Sequence, residues 1–102
     1  MGRTRKSPLD RKADILAAAV ELAKTSGFTK VTRDAVAIAA GVSTGLVSHY
    51  YNTMPQLKRD LMRYAVRYDV AEVIAQGLSI RDPHAMKASP EQKQKALMTL
   101  AE

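Results

Sequence analysis

The chain has no cysteine. Disulfides and thiolate metal sites are therefore excluded, and a reducing compartment is compatible with the composition. It has no tryptophan and one phenylalanine in 102 residues. The hydrophobic fraction of 46% is instead rich in alanine, which suits close-packed helices better than a sheet core. No apolar run approaches the roughly 18 residues that a membrane span needs. The basic N-terminus, MGRTRKSPLDRK, is not followed by a secretory apolar core, because Asp14, Glu21 and Lys24 interrupt what comes next. The expected location is the cytoplasm.

Catalytic and metal constellations are also missing. His49 and His84 stand far apart, with no third ligand at metal spacing. Ser43, Ser48 and His49 fall within one short segment, a poor geometry for a nucleophile, its base and an orienting group. There is no phosphate-cradling glycine loop. The expectation is a non-enzyme without metal or cofactor.

What is present is positive charge, unevenly placed. Of the formal net charge of +6, residues 1–68 carry 12 Lys and Arg against 5 Asp and Glu, and residues 69–102 carry 4 against 5. A basic front suits an anionic partner, although a soluble basic surface has the same composition. A chain this short buries a limited core and often gains stability by pairing with a second copy.

Apolar periodicity predicts five helices and no strand. Residues 1–8 read as a flexible basic arm, in which Arg3, Arg5 and Lys6 suit either phosphate tracking or a solubilising tail. A first helix runs from Leu9 or Asp10, with Asp10 as its cap, to Thr25. It buries Ile15, Leu16, Ala19, Val20, Leu22 and Ala23 and stops before Gly27. Phe28 and Val31 anchor a short connection. Thr32 caps a second helix, 33–40, and Ser43 caps a third, 44–50. Thr53 and Gln56 have capping-box spacing, with Pro55 acceptable in a first turn. They open a long fourth helix to about Gln76, terminated by Gly77. Residues 79–87 read as a linker. Ser89-Pro90-Glu91-Gln92 opens a terminal helix carrying Ala96, Leu97, Leu100 and Ala101.

The segment 32–51, TRDAVAIAAGVSTGLVSHYY, has the spacing of a DNA-reading helix-turn-helix. Ala37 leaves room for the helices to cross, and Gly41 can take a left-handed turn. Val36, Ala40, Val42 and Val47 supply the contacts between them. Thr44, Gly45, Ser48 and His49 remain on a polar outer face. Thr44, Ser48 and His49 can donate and accept hydrogen bonds at base edges. Glycine at 45 costs about 1 kcal/mol of helix propensity, which close backbone approach to DNA would explain. Thr32 and Thr53, at helix starts, are natural anion positions, with Arg33, Tyr50 and Lys58 adding side-chain contacts. Neighbouring residues cannot share a helix face, so Tyr51 is assigned to the core and Tyr50 to the DNA backbone. Tyr64 and Tyr68, four apart, suit core or dimer packing.

From about Ala13 to Leu57 the chain resembles the DNA-binding domain of TetR-family transcriptional regulators. The resemblance runs through VTRDAVAIAAGVS, the Gly27 before Phe28 and the aromatic closing the third helix. It implies an all-α protein that binds an inverted-repeat operator in double-stranded DNA as a homodimer and represses a nearby promoter. It implies phosphate contacts from Thr32, Arg33, Tyr50 and Thr53, and contacts with bases or their backbone from Ser43, Thr44, Gly45, Ser48 and His49. The chain departs from the family pattern at Ser48, where tyrosine is frequent, and at Met54, where lysine is frequent; Lys58 or Arg59 would compensate for the latter. Only residues 69–102 follow the basic front, where the family usually appends a sizeable inducer-binding domain. The expected organisation is a helix-turn-helix domain over 9–56 and a truncated dimerisation region over 57–102. Its dimer contacts are assigned to Tyr68, Ile74, Leu78, Leu97, Met98 and Leu100, and no small-molecule inducer site is expected. Two rival readings are an antirepressor that pairs with a longer relative, and a ligand-responsive sensor with a pocket between the fourth and fifth helices.

Overall fold

Six amphipathic segments become helices in the computed structural model, which describes residues 8–101. The basic side chains expected to form an arm, Arg3, Arg5 and Lys6, lie outside the described residues. Pro8, expected to close that arm, instead opens the first helix, α1 (Pro8–Ser26). This places Asp10 in the first turn rather than at the cap, where its charge still complements the helix dipole. Ile15, Ala19, Val20 and Ala23 form the buried stripe, with Leu16 and Leu22 packed beside it. Gly27, at φ 103°, ends α1 in a conformation that side chains resist. Phe28 and Val31 are buried around a 3-10 turn, Phe28–Lys30, as the sequence predicts.

Next come α2 (Arg33–Ala40), α3 (Thr44–Tyr50) and α4 (Met54–Arg67). Thr53 and Gln56 form the expected capping box reciprocally, at 3.4 and 3.3 Å. Leu57, Leu61, Met62 and Ala65 are the buried face of α4.

The long fourth helix is not continuous. It stops at Arg67, and Asp69 takes the left-handed conformation at φ 58°. The Val70 N–H donates to the Ala65 carbonyl at 2.8 Å, the closing bond of a Schellman turn. A left-handed aspartate costs roughly 1–2 kcal/mol. The chain then folds back as α5 (Ala71–Ser79), which buries Val73, Ile74 and Ala75. Full burial of a Val or Ile side chain contributes about 1.5–3 kcal/mol, so the break is favourable.

Gly77 is not a terminator. It lies inside α5, where a Cβ would stand 2.5 Å from Met62 Cε and 2.6 Å from Ala85 Cβ. Only glycine permits that approach. Helix α5 ends instead at a second left-handed residue, Arg81, with the Asp82 N–H donating to the Gly77 carbonyl at 2.8 Å. The expected linker is partly ordered. Asp82 Oδ1 accepts the N–H groups of His84 and Ala85, and a 3-10 turn, Ala85–Lys87, buries Ala85. Ser89 and Gln92 form the second capping box at the start of α6 (Pro90–Ala101).

Helix α6 packs on α5, and α5 packs on α4 and α1. Gln92 Nε2 donates to the Val66 carbonyl at 2.6 Å, and Lys95 Nζ reaches Asp69 Oδ2 at 2.8 Å. Both bonds hold α6 against the break. The Lys95 ammonium also keeps the Asp69 carboxyl below the usual carboxylate range. Gln76 ties α5 to the front of the molecule: its Oε1 accepts the Phe28 N–H, and its Nε2 donates to the Ala23 carbonyl at 2.9 Å.

Candidate nucleic-acid interface

Helices α2 and α3 meet through small side chains. Val36, Ala37 and Val47 are buried between them and the core, with Ala40, Val42 and Leu46 packed alongside. Gly41 is left-handed at φ 70°, ψ 35°, and the Val42 N–H donates to the Ala37 carbonyl at 3.0 Å. This is the predicted turn. Thr32 Oγ1 caps α2 by accepting the Ala35 N–H at 3.2 Å, and Ser43 Oγ caps α3 by accepting the Leu46 N–H at 3.0 Å.

Thr44, Gly45 and His49 on α3 are exposed, together with the Ser43 cap that precedes them. Gly45 has no internal reason to be glycine: a Cβ there would meet nothing nearer than Ser43 Oγ, at 3.8 Å. His49 stands edge-on to Tyr50, with ring centroids 4.9 Å apart. Tyr50 is half-buried and Tyr51 is buried, the division expected of neighbours on a helix. Burial first, then the charge and hydrogen bond of Asp60, push the Tyr51 hydroxyl up to about 12. Lys12 Nζ lies 5.0 Å from the centre of the Tyr51 ring.

Thr32 and Thr53 are both exposed at helix starts. Lys58 is half-buried, with Nζ 5.3 Å from the centre of the Phe28 ring. Arg33 and Ser48 are not separate features. The Arg33 Nη1–H donates to Ser48 Oγ and, at 3.5 Å, to the Tyr51 carbonyl. Its Nη2–H donates to the Asn52 carbonyl at 3.4 Å. Ser48 is accordingly half-buried, unlike His49 beside it.

The residues assigned to a dimer contact divide. Leu97, Met98 and Leu100 on α6 are 56%, 64% and 57% exposed, and Tyr68 is 59% exposed. Ile74 is fully buried in the chain's own core, because the break at Asp69 turns it inward, so it is not available to a partner. Leu78 is half-buried against the same core. An open groove of about 690 Å3 lies between α1 and α4, lined by Leu16, Asp60, Arg63, Tyr64, Arg67 and Tyr68 among others. Its volume is within the range of small-molecule sites, so size alone does not exclude a ligand. The sequence reading missed this groove, the Gln76 staple and the Arg33 fork, because each depends on segments distant in sequence.

A family profile described as "Bacterial regulatory proteins, tetR family" matches residues 15–61. The chain carries a tetR-family domain. The match extends from the buried stripe of α1 to the second turn of α4 and includes the whole of α2 and α3. Over 78 residues the chain is 31% identical to the HTH-type transcriptional regulator BetI of Yersinia pestis (strain Pestoides F) and of Yersinia pseudotuberculosis serotype O:1b (strain IP 31758). That alignment takes in 74% of this chain and 39% of each relative, so the chain spans about two fifths of the length of the curated relatives it matches. The tetR-family domain is all-α, and among the described residues no helix is long and apolar enough to cross a membrane.

Proposed function

We propose that this tetR-family domain reads double-stranded DNA and serves a transcriptional regulator that represses from a palindromic operator as a homodimer. The observation that carries the reading is the exposed face of α3. Ser43, Thr44, Gly45 and His49 project clear of the protein on a helix held by a left-handed glycine turn. A helix so mounted fits a major groove, where base edges present distinct donors and acceptors. Thr32 and Thr53, with Tyr50 and Lys58, would hold phosphates on either side. The Yersinia relatives are named as transcriptional regulators, which supports the same direction.

The dimer is proposed through Tyr68, Leu97, Met98 and Leu100, whose apolar surface is exposed in one protomer. A cytoplasmic, nucleoid-associated location accompanies this function. The test is selection of bound duplexes from a random pool, followed by gel shifts across a salt series. An inverted repeat should emerge, and affinity should fall steeply as salt rises. Failure to enrich any sequence would overturn the reading.

The groove beside Arg63, Tyr64 and Arg67 favours a second reading, a regulator whose binding responds to a small anionic or aromatic ligand. Thermal shifts against a panel of such compounds test it.

A further inference from the structure

We infer that Arg33 is a positioning residue that fixes the pose of α3, and that it is not a phosphate contact. The inference rests on the DNA reading above and assigns a specificity-determining role within it.

Helix α3 has seven residues, under two turns. A helix that short does not hold its own geometry, and its last carbonyls lack partners within it. The turn at Gly41 joins the near ends of α2 and α3. Arg33 stands at the far end of α2, one residue after the Thr32 cap, and joins the far ends. Its planar guanidinium spreads over three acceptors, namely Ser48 Oγ within α3 and the carbonyls of Tyr51 and Asn52 just beyond it. The fork geometry of arginine matches that task, and a lysine ammonium does not span it. A cation at this end of α3 also complements the helix dipole. With both ends tied, the exposed Thr44 and His49 are held at one angle to the core. Ser48 gives one of its two acceptor lone pairs to the latch, which fixes its hydroxyl toward Arg33.

Charge and fork are separable by mutation. Arg33→Lys keeps the charge and removes the fork, Arg33→Ala removes both, and Ser48→Ala removes one acceptor. In the free protein, amide hydrogen exchange at Tyr50 and Tyr51 should quicken about tenfold in Arg33→Lys and Arg33→Ala alike, with Leu57 and Leu61 in α4 unchanged. On a duplex selected by the wild-type chain, both variants should lose about tenfold in affinity and select a broader set of sequences, while Arg33→Lys keeps the wild-type salt slope. Ser48→Ala should move both readouts in the same direction by less. The inference is overturned if Arg33→Lys binds and exchanges like the wild type while Arg33→Ala lowers the salt slope by about one, the signature of a phosphate contact. A wild-type chain that selects no duplex, with the exchange result as expected, would overturn the DNA reading and leave the latch standing as a structural device alone.

Discussion

Gly45→Ala separates what the fold needs from what a partner needs. Gly45 lies in the first turn of α3 with no positive φ, and an added Cβ would be in ordinary contact at most, 3.8 Å from Ser43 Oγ. Alanine should therefore stabilise the chain by up to about 1 kcal/mol through helix propensity. For a domain of this size, that corresponds to a rise of at most about 4–8 °C in Tm. DNA binding should move the other way. If the α3 backbone lies against the duplex at this point, the new methyl enters a packed gap, and overpacking costs about 1–3 kcal/mol. The dissociation constant should then rise about 5- to 150-fold. Thermal unfolding followed by circular dichroism gives the first quantity, and fluorescence anisotropy on a selected duplex at fixed salt gives the second. Unchanged affinity would refute close backbone approach at Gly45. A lowered Tm would refute the claim that the fold leaves that space empty.

Three further outcomes follow from particular contacts. Gly77→Ala should destabilise by up to about 2 kcal/mol, because overpacking against Met62 and Ala85 exceeds the helix-propensity gain; calorimetry showing a more stable variant would mean that Met62 and Ala85 give way to the added methyl and that close approach does not require glycine here. Asp69→Gly should gain up to about 1 kcal/mol in urea unfolding while Asp69→Ala changes little, since the left-handed backbone resists any Cβ, aspartate's as much as alanine's, and the exposed bond to Lys95 contributes little. The pKa of Tyr51 is raised in the fold to about 12, so stability should be fully present below the unfolded value of about 10 and fall as pH rises from there toward 12. Tyr51→Phe should remove that slope, as measured by unfolding at a series of alkaline pH values.

The helix-turn-helix was legible in the sequence because its signals are local. Thr32, Ser43 and Thr53 each accept the N–H three residues on, and Gly41 turns the chain by its own left-handed backbone. The exposed face of α3 follows from the same periodicity, which also separated Tyr50 from Tyr51. The end of α4 was not legible. Residues 67–70 contain neither glycine nor proline, and the apolar spacing of Leu57, Leu61, Ala71 and Ile74 continues through the break. Gly77 was misread for the same reason: as a sequence sign, a glycine that ends a helix looks like a glycine that lets another helix approach.

The helical class, the capped starts of α2, α3 and α4, and the polar outward side of α3 are all local properties, since each arises from residues within about one helical turn of one another. Tertiary structure decided the rest. Arg33 finds Ser48 15 positions away, and Gln76 finds the Ala23 carbonyl 53 positions away. Asp69 accepts a left-handed backbone because Val73 and Ile74 are buried beyond it. Such choices are made where hydrophobic burial outweighs local preference, and that balance exists only once distant segments have come together.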